Sequence, residues 1–386
     1  MIFDDKKRED TSPKRNQEGE FAFLNRSDRP EIARVRELIE SCVKNYPVNE
    51  RSELISRIRC GNDIHFRSAT FELLLHATLN KLGCALTPHP TLESSSTARP
   101  DFLVTTPDGP QFYLEAVLAS KNDGSDPGAE ARKGLVIDAL ASSRHDRFMI
   151  EIDGKGDPDT QPKSKTLVRD VLQWLDTLDP DDVQRALTDG GFEARPVFKW
   201  DHDGWSMTIR PIPLKPERRG KSRSLVGIQS GGVRIIDSWT PIRDAVKKKG
   251  QKYRKLRIPL LVAVNLNSFD LNKIDEMQAL YGEEQLLDVV GHSERESRFE
   301  RAPNGAWHGK NGPQYTRVSG MWIFNDLSPY TLAKRRHTVY FNPWALLKLP
   351  GFLKLLPNAS VSESKIEWVE GVNLRDIFKL NEGWPE

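Results

Sequence analysis

The chain has 386 residues, of which 37% are hydrophobic and 29% charged, and its formal net charge is +2. This composition indicates a globular protein, long enough for one elaborated domain or two. No apolar run approaches 18 residues, so the sequence predicts no membrane-spanning helix. Its three cysteines (Cys42, Cys60 and Cys84) lack metal-binding spacing, which favours a reduced, cytoplasmic protein without a zinc site.

The chain begins with a highly charged segment. Residues 1–20 contain 11 charged side chains and no hydrophobic core, so we expect a disordered tail rather than a secretory signal or a folded element. Further on, the leucine-rich residues 68–82 predict a buried helix that ends near Gly83. Glu72 is a carboxylate within this apolar helix, which makes it a candidate site residue.

Two β-prone runs follow, residues 101–106 and 111–118, separated by the turn signal Pro107–Pro110. A hairpin centred near Asp108 places Asp101 opposite Glu115. Opposed residues on one face have Cβ atoms about 4.5–5.5 Å apart. Two carboxylates at that distance repel each other unless a cation or a proton joins them. With Glu72, they predict a three-acid ligand set for Mg²⁺ or Mn²⁺, because Mg²⁺ prefers oxygen ligands.

The remaining elements are less informative about chemistry. A helix near 129–142 and strands near 147–152, 318–325 and 337–341 are predicted, and Asn342-Pro343 is expected to begin a long helical stretch. Residues 240–267 read as a basic helix followed by a buried strand. We therefore expect a domain over residues 21–267, with core segments 64–121 and 240–267 and an insertion over 122–239. Residues 268–386 are expected to form a C-terminal α/β extension packed on this core.

Positive charge is concentrated in one part of the chain. Residues 208–260 contain 15 lysines and arginines and only three acids. A basic zone on a nearly neutral protein is typical of a protein that binds the phosphate backbone of nucleic acid. A solvated surface loop and helix would explain the same charges about equally well.

The order of these features resembles the PD-(D/E)xK nuclease superfamily, which has the restriction-endonuclease-like fold. The residues of this chain that carry the resemblance are Glu72 on the first helix, Pro100-Asp101 at one strand and Glu115-Ala116-Val117 on the next. The resemblance implies an α/β fold with a mixed central β-sheet flanked by helices, and magnesium-dependent hydrolysis of phosphodiester bonds. Asp101 and Glu115 would be metal ligands, and Glu72 an auxiliary acid.

The chain departs from the family pattern at Val117, where the pattern has a lysine. A lysine there would stabilise charge on the phosphate, which valine cannot do. Several cations could replace this lysine. In order of preference they are Lys249, Lys252 and Lys121, with Arg132 and Lys133 of the next predicted helix as further options. The remaining alternative is that no cation replaces it and the site is inactive.

Three functional hypotheses follow. The first is a metal-dependent DNA endonuclease, although the sequence does not separate DNA from RNA. Cutting both strands would suit a homodimer, but no interface is visible in the sequence. The second is a nuclease fold that has lost its chemistry at Val117 and serves as a nucleic-acid or protein binding module. The third is a structural or partner-binding protein whose acids are salt-bridge partners, in which Glu115 pairs with an arginine such as Arg99 or Arg67.

Overall fold

The structure is a computed structural model, which describes residues 1–92, 99–119, 127–220, 224–230, 239–253, 256–266, 272–288, 297–362 and 365–386. Its α-helices are α1 (Glu20–Arg26), α2 (Pro30–Lys44), α3 (Val48–Arg59), α4 (Asp63–Lys81), α5 (Pro127–Ser142), α6 (Ser164–Asp176), α7 (Pro180–Gly190), α8 (Trp239–Lys252), α9 (Lys273–Tyr281) and α10 (Leu374–Phe378). Across the described ranges, none of these helices combines the length and the apolar character needed to cross a membrane.

The strands are β1 (Ala85–Pro88), β2 (Phe102–Thr105), β3 (Gln111–Ala119), β4 (Phe148–Gly156), β5 (Phe198–His202), β6 (Trp205–Pro213), β7 (Val226–Ser230), β8 (Leu260–Leu266), β9 (Glu284–Asp288), β10 (Ser297–Arg301), β11 (His308–Gly309), β12 (Gly312–Pro313), β13 (Gly320–Asn325), β14 (His337–Phe341), β15 (Asn358–Ser362) and β16 (Lys365–Val369). Eight of them form one sheet in the order β1-β2-β3-β8-β13-β14-β15-β16. Three pairs are parallel (β3 with β8, β8 with β13, and β14 with β15) and the others antiparallel. The predicted α/β class with a mixed central sheet flanked by helices is therefore confirmed.

The central strand β8 shows how the sheet is covered on both faces. All seven of its residues are buried, as expected for a strand with layers on both sides. Leu261 and Ala263 pack into the apolar cluster that contains α4, whereas Leu260, Val262 and Val264 pack into the cluster that contains α8 and α9. This alternation follows from the two-residue period of a strand. It defines an α4 face and an α8 face of the sheet.

The described chain divides into two compact units. The first comprises residues 1–12, 19–121 and 236–386, and the second comprises residues 13–18 and 122–235. The second unit covers nearly the same stretch as the predicted insertion. Its own sheet has the order β5-β6-β4-β7, and side chains of α5, α6 and α7 pack with those of its strands in one apolar cluster.

The C-terminal part differs from the predicted extension. Residues 268–386 contribute β13 to β16 directly to the central sheet, and β13 pairs in parallel with β8 along its whole length. The long helix expected after Asn342-Pro343 is not formed in this fully described region, which has a short 3₁₀ helix at Gly351–Leu355 instead. Pro350, which lacks a backbone N–H, immediately precedes that turn.

The N-terminal segment also differs from the predicted disordered tail. Ile2 is fully buried and Phe3 is 6% exposed, and both backbone N–H groups donate to the Glu40 carboxylate, at 2.5 and 3.0 Å. Two apolar residues at the start of the chain therefore anchor a segment whose composition is otherwise highly charged. The prediction of disorder rested on the charged residues of the whole 20-residue segment, and such a count does not reveal two buried apolar side chains within it.

Candidate active site

The β2–β3 hairpin brings two acids together. Its register pairs Phe102 with Leu114 and Thr105 with Gln111. One further step in this register sets Asp101 opposite Glu115, as the sequence predicted. The turn between the strands includes Gly109, whose φ of 102° is a backbone conformation that glycine adopts without strain.

The two acids are held differently. The Oδ2 atom of Asp101 accepts a hydrogen bond from the backbone N–H of Ala116 at 2.6 Å, which ties the start of β2 to β3. Glu115 is only 2% exposed. It pairs with Val262 of β8 and therefore lies on the α8 face of the sheet. A carboxylate buried this deeply needs charged or hydrogen-bonding partners.

The C-terminal end of α8 supplies those partners. The ammonium groups of Lys249 and Lys252 both donate to Oε1 of Glu115, the second at 2.9 Å. The hydroxyl of Tyr253 lies 2.7 Å from Oε2 of Glu115 and 2.9 Å from the carbonyl oxygen of Arg99. The two lysines preferred from the sequence thus lie at the buried acid, on one face of a single helix.

The pKa values of the two acids are shifted in opposite directions. Burial, the Glu115 charge and the Glu72 charge raise the pKa of Asp101 to about 7, against the opposing effects of the Ala116 N–H and Lys249. Burial alone would raise the pKa of Glu115 as well, but its lysine and tyrosine partners hold that pKa below its ordinary value. Glu115 is therefore ionised near neutral pH, whereas Asp101 is partly protonated there, and a nearby cation would favour its ionised form.

Glu72 has a different partner. Its two oxygens accept hydrogen bonds from Arg57 at 2.7 and 2.6 Å, and the glutamate is 6% exposed. This bidentate ion pair compensates the Glu72 charge locally. The structure thus brings Asp101, Glu115, Lys249 and Lys252 together, whereas Glu72 affects Asp101 only through its charge.

Val117 lies on the α8 face of the sheet, on the same side as Glu115. Val117 pairs with Val264 and packs against the same apolar cluster as Val246 and Tyr253. Because residues two apart point to the same side of a strand, Val117 shares its face with Glu115. A neighbouring helix therefore supplies the cations on the face where the family pattern has its lysine.

Two of the other candidate cations, Arg132 and Lys133, have partners of their own. Lys121 lies outside the described residues. Arg132 and Lys133 belong to the second unit, where Arg132 donates to the carbonyl of Pro158 and Lys133 pairs with Glu130. The expected pairing of Glu115 with an arginine is wrong, because its partners are lysines and a tyrosine. Arg67 pairs instead with Asp326.

Asp101 and Glu115 meet part of the requirements of a binding site for a divalent cation. Within the described ranges, no group of three or more acid, histidine or cysteine side chains is arranged to hold a metal. Mg²⁺, however, often binds through one or two carboxylates together with substrate phosphates. Asp101 and Glu115 meet that requirement. Burial, together with the charges of Glu115 and Glu72, raises the pKa of Asp101, and a cation would oppose that shift. A bound cation would compete with Lys249 and Lys252 for Glu115.

Tyr253 is the residue that sequence reasoning missed. It is 1% exposed and connects the end of α8 to Glu115 and to the backbone just before Asp101. Its position four residues after Lys249 was a usable signal, because residues at that spacing lie on one side of a helix.

We expect Tyr253→Phe to weaken binding of a divalent cation at Asp101 and Glu115 about 10-fold, because side chains that orient a ligand typically contribute 10–100-fold. The reason is that Oε2 of Glu115 loses the hydroxyl that fixes its orientation. Calorimetric titration with magnesium checks this. Tyr330→Phe, which removes a hydroxyl that contacts Glu20 instead, is the matched control. Equal affinities in both variants would contradict the role of Tyr253.

The fold and the site define an α/β protein with a mixed sheet and a carboxylate–lysine cluster. Comparison with known proteins adds nothing more specific to this class. No family model, curated protein or solved structure matches this chain.

Proposed function

We propose that this protein is a metal-dependent nuclease that hydrolyses phosphodiester bonds, with DNA as the expected substrate. The observation that carries the proposal is the convergence of Asp101 and Glu115 with Lys249 and Lys252. Acids that attract a divalent cation, placed beside two ammonium groups, suit a reaction in which negative charge develops on a phosphate.

The side chains would divide the work as follows. Asp101 and Glu115 would hold magnesium or manganese, which when bound supplies positive charge to the phosphate and lowers the pKa of a water ligand. Lys249 and Lys252 would stabilise the charge that develops on the phosphate oxygens. Tyr253 would keep Glu115 oriented. Glu72, bound to Arg57, would act through its charge on Asp101.

The test is cleavage of supercoiled plasmid by purified protein with magnesium, with manganese and with EDTA. We expect nicked and linear DNA with either metal and none with EDTA. If the plasmid remains intact, the same assay on single-stranded DNA and on RNA decides whether the substrate or the reaction is wrongly assigned. No cleavage of any of the three would overturn the proposal.

The lysines provide a graded prediction within this assay. We expect Lys249→Met to lower the cleavage rate about 10²-fold or more, as is typical when one group that stabilises transition-state charge is removed. Lys252→Met should cost less, because its side chain is 36% exposed whereas that of Lys249 is 13% exposed. Lys44→Met on α2 is the control. Wild-type rates in both lysine variants would exclude these residues from catalysis.

Val117 favours a second candidate, a nuclease fold that binds nucleic acid without cutting it. On this reading the ion pairs of Glu115 with Lys249 and Lys252 are permanent structural contacts. Binding should then depend steeply on salt and be independent of metal. Binding without any metal-dependent product in the assays above would support this candidate.

A further inference from the structure

A second polar site borders α8, on the side of the helix away from the acid–lysine cluster. A surface cavity of about 410 Å³ is lined by Gly250 and Gln251 of the helix and by the segment Tyr315–Arg317. We call this segment the 315–317 strap. Gly250 and Gln251 lie between Lys249 and Lys252 in the sequence. At 3.6 residues per turn, however, they face the opposite side of α8 from the two lysines, so the helix separates the cavity from the acid–lysine cluster.

The strap is held tightly against the helix. Tyr315 has a φ of 48°, a conformation that is strained for a bulky side chain and persists only when its surroundings enforce it. Two backbone hydrogen bonds of 2.9 Å enforce it here, from Val318 to the Tyr315 carbonyl and from Leu346 to the Thr316 carbonyl. A Cβ atom added at Gly250 would lie only 3.0 Å from the Tyr315 ring, so glycine is what permits this close contact.

The cations around the cavity have no acidic partner. Lys247, Lys248 and Arg317 are exposed, and none of their side chains has an ion pair or a hydrogen bond in the described structure. Lys247 lies three residues before Gly250 and four before Gln251, so it shares their side of α8. By contrast, the half-buried arginines Arg57 and Arg336 are paired with glutamates. The cavity therefore presents uncompensated positive charge to solvent.

We propose that this cavity binds a backbone phosphate of the nucleic acid, away from the phosphate that is cut at the acid–lysine cluster. Arg317 is its principal ligand, with Lys247 as a second cation and Gln251 and Thr316 as hydrogen-bonding groups. This inference rests on the proposed function and extends it: the substrate is also held by a phosphate on the other side of α8, independently of base sequence.

The experiment measures binding of a fluorescein-labelled DNA duplex by anisotropy, without divalent metal so that the probe is not cut, over a series of salt concentrations. For a duplex, each phosphate contact contributes about 0.9 to the slope of log affinity against log salt. We expect Arg317→Ala to lower the magnitude of that slope by about 0.9 and to weaken binding several-fold at low salt. Arg317→Lys should retain the slope because it retains the charge.

The control is Arg375→Ala on α10, an exposed arginine whose helix packs into the apolar cluster on the α4 face. This variant should bind like the wild type. An Arg317→Ala slope equal to that of the wild type would overturn the phosphate site. If the wild-type protein cleaves nucleic acid while that slope is unchanged, only this inference fails. If the wild type neither binds nor cleaves DNA or RNA, both proposals fail.

Kinetics separate this role from that of the cluster. With the single-stranded or double-stranded substrate that the wild type cuts, Arg317→Ala should raise KM several-fold and leave kcat nearly unchanged, because the arginine contacts a phosphate that does not react. A fall in kcat with unchanged KM would overturn this assignment and place Arg317 in the chemical step.

Discussion

Glu115→Gln should reduce metal-dependent cleavage by roughly 10³-fold or more, comparable to or greater than the loss of one preorganised charge-stabilising group. The amide keeps the shape of the side chain and one oxygen acceptor, but it removes the charge that attracts a cation and neutralises Lys249 and Lys252. Because Glu115 is 2% exposed, water cannot replace its charge. The measurement is the plasmid-nicking rate with magnesium, accompanied by thermal unfolding to show that the variant is folded.

The matched control for this substitution is Glu370→Gln. Glu370 is 88% exposed in an ion pair with Lys273, and its loss should change neither rate nor stability. Undiminished cleavage by folded Glu115→Gln protein would exclude Glu115 from the reaction and place the cleavage at another site.

Arg336→Ala should destabilise the protein by about 3–5 kcal/mol at neutral pH, as is typical when one partner of a buried ion pair is removed. Glu276, which is 1% exposed, accepts a hydrogen bond from Nη1 of Arg336 at 3.0 Å and another from the Tyr340 hydroxyl at 2.6 Å. Without the arginine, a buried carboxylate charge keeps only a neutral hydroxyl as its close partner. Denaturant unfolding at neutral pH measures the loss.

The pH dependence of this loss tests its cause. Burial raises the pKa of Glu276 above its ordinary value, even though Arg336 and Tyr340 oppose the shift. An acid with a raised pKa in the folded state contributes stability that is present below its unfolded pKa and is lost as pH rises through the folded pKa. The Arg336→Ala deficit should therefore shrink near pH 4. A deficit that is equal at pH 4 and pH 7 would assign it to lost packing instead.

The sequence predicted the local geometry of the site well. The opposition of Asp101 and Glu115 follows from a turn signal and a two-residue period, which involve only about 15 neighbouring residues. The placement of Lys249 and Lys252 on one helix face follows from helical spacing. That this helix docks beside β3 was suggested only by the family resemblance, because no local pattern specifies such a contact.

The parts that sequence reasoning missed depend on distant contacts. Nothing near Glu72 indicates Arg57, which comes from the preceding helix and holds both of its oxygens. The strands β13 and β14 were predicted as apolar runs, but their entry into the central sheet depends on pairing with β8 and with each other. Such partners are decided by packing of the whole unit rather than by local propensity.

The order of these elements along the chain has a consequence for protein synthesis. The acid Glu115 and its partner Lys249 are separated by 134 residues, most of which form the second unit. When the ribosome has translated β3, both acids have been added to the nascent chain, but Lys249, Lys252 and Tyr253 have not yet been synthesised. Since domains fold progressively during translation, the nascent chain must carry Glu115 without its cations until α8 emerges. Any pause within residues 122–235 would prolong that interval, so translation speed through the second unit should influence the yield of correctly folded protein.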